Sequence, residues 1–209
     1  YTVTVTAKNS AGLSASAKKT ISVTVVPVKQ TLVWSDEFDK NGAPDPTKWI
    51  YDIGTGSSGW GNNELQVYTE GNAFVTADGI LELEAKRVTD GSAGIAYYGP
   101  AEWTSARLVT KGKVLFQYGE IVIRAKVPAG VGIWPAFWML GENIDDVQWP
   151  NCGEIDIMEQ KGGQSNITYG SLHGPGYSGG NAATAPYALR DARFDTDFHI
   201  YAIEWGKDY

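Results

Sequence analysis

The sequence predicts an all-β domain of the sandwich or jelly-roll class. Its 209 residues suffice for one such domain with a small appendage, but not for two large domains. Short strand-like segments recur between turn-forming Gly, Pro, Asn and Asp residues, and no window has convincing helical periodicity. The 25 Gly, eight Trp and 11 Tyr residues suit a loop-rich β protein with an aromatic-lined groove.

Residues 1–26 predict a hairpin that precedes the main domain. Strands at 1–6 and 20–25 alternate apolar and hydroxyl residues, and 9–12 is turn-like. Two strands cannot bury a stable core alone, so the hairpin should belong to a neighbouring module or pack on the main domain. It resembles the last hairpin of a PKD-type or bacterial immunoglobulin-like module, and the chain should therefore be cut from a longer one. Residues 27–30 are expected to form a linker because Pro27 stiffens the exit.

Residues 31–209 predict the second domain. One segment, 119–127, alternates clearly: Ile121 and Ile123 share one face, and Glu120 and Arg124 the other. The other strand-like segments share short length and turn-forming flanks: 80–87, 106–109, 133–140, 154–159, 167–173 and 198–205.

Composition excludes several classes of protein. The net charge is −7 and no basic stripe could follow a phosphate backbone, so no nucleic-acid partner is expected. No apolar run reaches the roughly 20 residues that span a bilayer, so no membrane span is expected. Cys152 is the single cysteine and cannot form an internal disulfide, and with two histidines it makes no zinc signature. We expect a monomer.

Three acidic residues on one predicted strand carry the candidate chemistry. Side chains alternate along a strand, so Glu154 and Asp156 share a face, but Glu159 stands at an odd offset and would point into the core. A β-bulge at Ile157-Met158 would return Glu159 to the face of the other two. The alternative is a surface strand with three solvated acids, which is the common fate of Glu and Asp.

Paired carboxylates in one groove are typical of glycoside hydrolases. With the bulge, the Cα atoms of Glu154 and Glu159 would lie roughly 13 Å apart, and inward-leaning side chains could close much of that gap. A retaining enzyme needs its carboxyl groups about 5 Å apart and an inverting one needs more, so the spacing leaves both open. Asp156 should share a proton with Glu154, which couples their pKa values.

Several blocks together resemble the laminarinase-type members of glycoside hydrolase family 16: GWGNNELQVYT, GIWPAFWML, WPNCGEIDIME, LHGPGYSGGN and RFDTDFHIYAIEW. The resemblance implies a β-jelly roll of two curved antiparallel sheets with a concave substrate cleft. It implies retention through a covalent glycosyl-enzyme, with Glu154 as nucleophile, Glu159 as general acid/base and Asp156 as the acid that orients Glu154. Family domains continue with further strands, so this chain is expected to lack C-terminal strands.

The resemblance also implies a set of substrate-binding residues, each with an alternative. Trp134 and Trp138 would form a stacking platform for sugar rings or lie in the core, and Trp149 would cap a subsite or plug the sheet edge. Arg107 would bind sugar hydroxyls or form a surface ion pair. The remaining members are Asn62 and Asn63, whose alternative is turn formation, and His173, expected near the general acid/base, whose alternative is structural hydrogen bonding.

The resemblance implies no catalytic cofactor and a structural Ca²⁺ on the convex side, with Glu37 and Gly71 at matching positions. The expected function is retaining endo-hydrolysis of a β-1,3-glucan polysaccharide, with mixed β-1,3/1,4-glucan as a further substrate. The alternatives are an agar- or carrageenan-type galactan hydrolase and a non-catalytic glucan-binding module on the same fold. The expected location is bacterial and extracytoplasmic: secreted, cell-surface or periplasmic.

Overall fold

The computed structural model describes residues 2–8, 14–20 and 30–208, and for the first two ranges it describes the strand pairing only. The chain divides into two compact units, Tyr1–Glu37 and Phe38–Tyr209. The strand bounds in both units are β1 (Thr2–Lys8), β2 (Ser14–Thr20), β3 (Ile50–Tyr51), β4 (Val67–Tyr68), β5 (Ala73–Val75), β6 (Leu81–Leu83), β7 (Lys86–Arg87), β8 (Ile95–Ala96), β9 (Gly99–Pro100), β10 (Trp103–Ser105), β11 (Leu108–Val109), β12 (Gly119–Ala125), β13 (Ala136–Leu140), β14 (Glu154–Glu159), β15 (Ile167–His173), β16 (Ala183–Ala188) and β17 (His199–Trp205).

The first unit contains an antiparallel strand pair. β1 pairs with β2 from Thr2 opposite Thr20 to Lys8 opposite Ser14. The partner of β1 is thus Ser14–Thr20, and the predicted strand 20–25 lies outside the described residues except for Thr20. Residues 9–13 and 21–29, which include the predicted turn and most of the predicted linker, lie outside the described residues.

The helical segments of the second unit are short. They comprise a π-type turn at Gly59–Asn63, 3-10 turns at Glu70–Asn72 and Gly179–Asn181, and one α-helix, α1 (Ile144–Val147). No helix in the described part of the chain has the length and apolar character needed to cross a membrane.

Two antiparallel layers build the second unit. One is the four-stranded sheet β13-β14-β15-β16, and the other contains the pair β12-β17. Side chains of β12 alternate as predicted, with Ile121 and Ile123 half-buried and Glu120 and Arg124 exposed. A three-stranded sheet, β4-β10-β7, in which β4 and β10 are parallel, and the short pairs β3-β11, β5-β6 and β8-β9 make up the other described sheets of this unit.

The predicted strands 154–159 and 167–173 are present with the predicted bounds. The predicted strand 80–87 is interrupted between β6 and β7. The reason is that Glu84 N–H donates to the Asn72 carbonyl, while the Asn72 side chain donates back to the Glu84 carbonyl. The Glu84 N–H bond continues the β5–β6 register, but the Glu84 carbonyl is bonded by the Asn72 side chain, and the regular ladder ends there.

A small apolar cluster joins the two layers. Met158 of β14 is 1% exposed and packs with Tyr201 of β17, Val127 and Phe194. Because these side chains come from both layers, the sheets pack face to face as a sandwich, in agreement with the predicted all-β class. The opposite face of β14 is left for the acidic residues.

Candidate active site

A β-bulge brings the three acidic residues of β14 to one face. Alternate residues of β13 point to one side of the sheet, and they pair as follows: Ala136 with Glu159, Trp138 with Asp156, and Leu140 with Glu154. Between them, Phe137 pairs with Met158, and Ile157 is skipped. The register against β15 also shifts between Asp156 and Glu159. The predicted bulge at Ile157-Met158 is confirmed.

Asp156 is the most deeply buried of the three acids, at 4% exposure. Burial raises its pKa to about 8, and the charges of Glu154 and Glu159 and a hydrogen bond with Glu154 act in the same direction. The raised pKa favours the neutral form of Asp156, whose carboxyl proton can then be donated to Glu154 in their hydrogen bond.

Glu159 is half-buried at the other end of the bulge. Burial raises its pKa, and the charge of Glu154 raises it too, while the Trp134 indole N–H, His173 and Lys161 act in the lowering direction. A raised pKa is what a general acid near neutral pH requires. Because the charge of Glu154 acts on the pKa of Glu159, the two carboxyl groups are close enough to interact electrostatically.

His173 ends β15 directly opposite Glu154. Its Nε2 lies 3.0 Å from Asp156 Oδ2, and its Nδ1 accepts the Gly179 N–H at 3.1 Å. Because Nδ1 is an acceptor, the neutral imidazole carries its proton on Nε2 and donates to Asp156. His173 contacts Asp156 directly, and its charge also acts on Glu159, the residue that the resemblance places near it.

Two indoles donate to the two glutamates. Trp149 Nε1–H donates to Glu154 Oε2 at 2.5 Å, and Trp134 Nε1–H donates to Glu159 Oε1 at 3.0 Å. Trp134 is 58% exposed and Trp149 is 44% exposed. Neither ring is in the core, and their contact with sugar stays a prediction.

Arg107 lies between two tryptophan rings. Its Cζ is 4.4 Å from the ring centroid of Trp60 and 4.7 Å from that of Trp138. Its Nε is 2.9 Å from Asp52 Oδ2, which makes an ion pair, but the N–H does not point at the oxygen well enough for a hydrogen bond. The Arg107 side chain is 17% exposed. The ion-pair alternative therefore describes Arg107, but the pair is largely buried and fixes Trp138.

Asn62 and Asn63 lie in the exposed π-type turn. Asn62 Nδ2 donates to Glu64 Oε1 at 3.3 Å, and Asn63 adopts a left-handed φ of 58°. Asn tolerates this conformation better than most residues, so turn formation accounts for Asn63. The exposed amides remain available to a ligand.

Two places bear on metal ligation. Glu154, Asp156 and His173 each offer one ligand atom, and these atoms lie within 4.8 Å of one another. Their hydrogen bonds with one another and with Trp149 already account for this proximity. Glu37 and Gly71 are exposed and belong to different compact units, so the structural calcium stays a prediction.

Sequence reasoning missed three contributors to the site: Asp52, Trp60 and Gly179. Trp60 stands inside the GWGNN block, which was the available signal. Asp52 and Gly179 contribute through hydrogen bonds to residues that are brought near them only by the fold. Asp52 N–H donates to the Arg107 carbonyl, and Gly179 N–H donates to His173 Nδ1.

The β-sandwich and its pair of glutamates on one cleft face define the class of glycoside hydrolases. The chain belongs to glycosyl hydrolases family 16, whose family model matches residues 61–209.

Named relatives and solved structures point to one branch of that family. The chain is 45% identical over 182 residues to a beta-glucanase of Rhodothermus marinus, covering 85% of this chain and 60% of that protein. It is 38% identical over 181 residues to a glucan endo-1,3-beta-glucosidase of Cryptopygus antarcticus, covering 85% of this chain and 63% of that protein.

The fold is similar to that of the laminarinase catalytic domain from Thermotoga maritima MSB8. The TM-score is 0.77 at 50% identity, covering 85% of this chain and 70% of that one. This likeness confirms the predicted jelly roll. The chain thus spans about three fifths of the length of the two curated relatives and 70% of the length of the solved laminarinase domain.

Proposed function

We propose that the chain carries the catalytic strand of a retaining endo-β-1,3-glucanase that also accepts mixed β-1,3/1,4-glucan. The observation that supports this most is the bulged strand β14, which sets Glu154 and Glu159 on one face with Asp156 between them. The names of the relatives and of the solved structure, which concern β-glucans, supply the substrate class.

In the proposed reaction, Glu159 protonates the glycosidic oxygen while Glu154 attacks C1 and forms a covalent glycosyl-enzyme. Water then attacks C1 with Glu159 as general base, and the sugar leaves with its original anomeric configuration. Asp156 donates a hydrogen bond to the attacking Glu154, and Glu159, with its raised pKa, holds the proton to be donated.

The test is proton NMR of the first product released from laminarin. Retention gives the β anomer first, and mutarotation comes later. An α anomer as the first product would contradict the double displacement. Glu154→Gln should abolish hydrolysis while retaining glucan binding, and wild-type turnover by this variant would overturn the assignment.

Two alternatives are less well supported. A sulfated galactan would need free cationic groups in the cleft, but Arg107 is paired with Asp52 and stacked between two rings. A non-catalytic binding module would not need a half-buried Glu159 with a raised pKa. Product analysis on laminarin, lichenan, agarose and carrageenan separates these possibilities.

The remaining expectations are proposals about the whole protein. Because a polysaccharide is too large to enter a cell intact, we propose a secreted, cell-surface or periplasmic location, which fractionation of the source cells would test. Residues 1–26 would belong to a PKD-type or immunoglobulin-like spacer, and the catalytic unit would act as a monomer, which light scattering would test. Calcium at Glu37 and Gly71 would raise the melting temperature, and a chelator would reverse the rise.

A further inference from the structure

We propose that Trp134 and Trp149 are positioning residues, each of which holds one catalytic glutamate through its indole N–H. This inference rests on the proposed function, because it assumes that Glu154 is the nucleophile and Glu159 the general acid/base. It assigns to these two tryptophans a task that is separate from contact with sugar rings.

Trp149 is placed to hold Glu154 in its nucleophilic form. Its Nε1–H, which can only donate, contacts Glu154 Oε2 at 2.5 Å. A donor stabilises an ionised carboxylate more than a protonated one. The indole ring lies with its centroid 5.9 Å from that of His173, which is itself held at both nitrogens by Asp156 and Gly179.

Trp134 plays the matching part for Glu159. Its Nε1–H contacts Glu159 Oε1 at 3.0 Å and counteracts the burial that raises the pKa of this carboxyl. Because Oε1 accepts the indole N–H, its lone pair is already used in a hydrogen bond. The carboxyl proton of Glu159 is therefore favoured on the other oxygen, Oε2. Trp134 thereby selects the oxygen that delivers the proton to the leaving group.

Both indoles keep much of their surface exposed while their N–H groups are engaged. A sugar that packs on either ring would therefore press on the group that orients a catalytic carboxylate. Trp138 provides the contrast, because its ring stacks on Arg107 instead. Binding on Trp134 and Trp149 is therefore coupled to alignment of the two glutamates through an N–H donor, whereas Trp138, opposite Asp156 on β13, contacts Arg107 through its ring.

Other charged groups face the two glutamates and remain when an indole is removed. Glu154 faces Asp156 on its own strand, Glu159 beyond the bulge and His173 on β15. Glu159 faces Glu154 and Asp156 on its own strand, His173 on β15 and Lys161 in the following loop. Phenylalanine at position 134 or 149 keeps these groups and an aromatic ring, and removes only the donor and part of the ring.

The experiment compares Trp149→Phe, Trp134→Phe and the matched control Trp138→Phe in the pH profile of kcat/KM on laminarin. In Trp149→Phe the acid limb should move to higher pH by about half a unit to one unit, which narrows the profile. In Trp134→Phe the alkaline limb should move up by a similar amount, about half a unit to one unit, which widens it. Each of these two variants should also lose about tenfold in kcat.

Trp138→Phe should raise KM and leave both limbs in place. If Trp134→Phe and Trp149→Phe behave in the same way as Trp138→Phe, the two indoles are sugar contacts only and the inference is wrong. That result would leave the proposed function intact, because the proposed function is tested separately by Glu154→Gln.

A second measurement uses the unmodified protein and does not depend on a variant folding. With ¹⁵N-labelled tryptophan, the Nε1–H resonances of Trp134 and Trp149 should titrate with the carboxylates, while that of Trp138 should stay nearly constant. Equal, flat responses from all three indoles would contradict the proposal.

Discussion

The imidazole of His173 donates from Nε2 to Asp156 Oδ2 across 3.0 Å and ties a buried acid to the loop that begins at Gly174. Gly179 N–H fixes the opposite ring nitrogen. A neutral Asp156 then has one oxygen that accepts from His173 and a proton to share with Glu154. The chain of bonds delivers a fixed donor, rather than a second negative charge, to Glu154, the proposed nucleophile.

Asp156→Asn should keep most of the activity below pH 7. The amide is neutral, can donate to Glu154 and can accept from His173, as the protonated carboxyl does. Asp156→Ala removes both bonds, and its kcat should fall about 10²-fold or more. Steady-state kinetics on laminarin measure both variants. If Asp156→Asn were as impaired as Asp156→Ala, an ionised Asp156 would be required.

The same carboxyl should make the protein less stable as pH rises. Its pKa is raised in the folded state, so between about pH 4 and pH 8 the folded chain binds one more proton than the unfolded chain. Over that window the free energy of unfolding should fall by up to about 1.4 kcal/mol per pH unit.

Asp156→Asn should flatten this part of the pH dependence of the melting temperature, which calorimetry from about pH 5 to about pH 8 would measure. Asp90→Asn is a suitable control, because Asp90 is exposed and its pKa is lowered by hydrogen bonds to Ser92. A slope unchanged by Asp156→Asn would show that other groups set it.

Azide should rescue the two glutamate variants in opposite stereochemical senses. On an activated aryl β-glucoside of laminari-oligosaccharide, Glu154→Ala should give the α-glycosyl azide, because azide replaces the missing nucleophile directly. Glu159→Ala should give the β-glycosyl azide, because azide attacks the glycosyl-enzyme formed on Glu154. Without azide, each should lose about 10³-fold or more in kcat. NMR of the azide products distinguishes the two, and exchanged outcomes would reverse the assigned roles.

Arg107→Lys should weaken substrate binding more than chemistry. Lysine cannot fill the flat space between Trp60 and Trp138, so the Trp138 ring should lose its fixed position. We expect KM to rise about tenfold with a much smaller change in kcat. The matched control is Arg87→Lys, whose ion pair with Glu102 is exposed and should contribute little. A large fall in kcat at unchanged KM would point to direct contact with the reacting sugar.

Met158→Ala should destabilise the sandwich by about 2–5 kcal/mol, because it leaves a cavity between the two layers. Ile200→Ala is the control: Ile200 is 70% exposed, and its truncation should be nearly neutral. Urea unfolding at neutral pH measures both. If Met158→Ala were also neutral, the cluster around Met158 would not join the layers.

Local patterns determined much of the architecture. Alternation along β12 and β14 predicted the strands and their faces, since side chains alternate across a sheet whatever the rest of the fold does. The odd spacing of Glu154 and Glu159 even predicted a bulge, because the alternative buried a carboxylate. Patterning was less informative at β6 and β7, where the exchange of bonds between Asn72 and Glu84 interrupts a strand that alternation alone would continue.

What the sequence by itself determined is the all-β class, the strand 154–159 and the three acids that its bulge brings to one face. The tertiary structure alone decided how those acids are tuned. The pairing of β14 with β15 sets His173 against Asp156, the pairing of β3 with β11 sets Asp52 beside Arg107, and the approach of two indoles gives each glutamate its own donor. The reason is physical: strand periodicity acts between neighbours in sequence, whereas burial and hydrogen bonding depend on residues that the fold brings together.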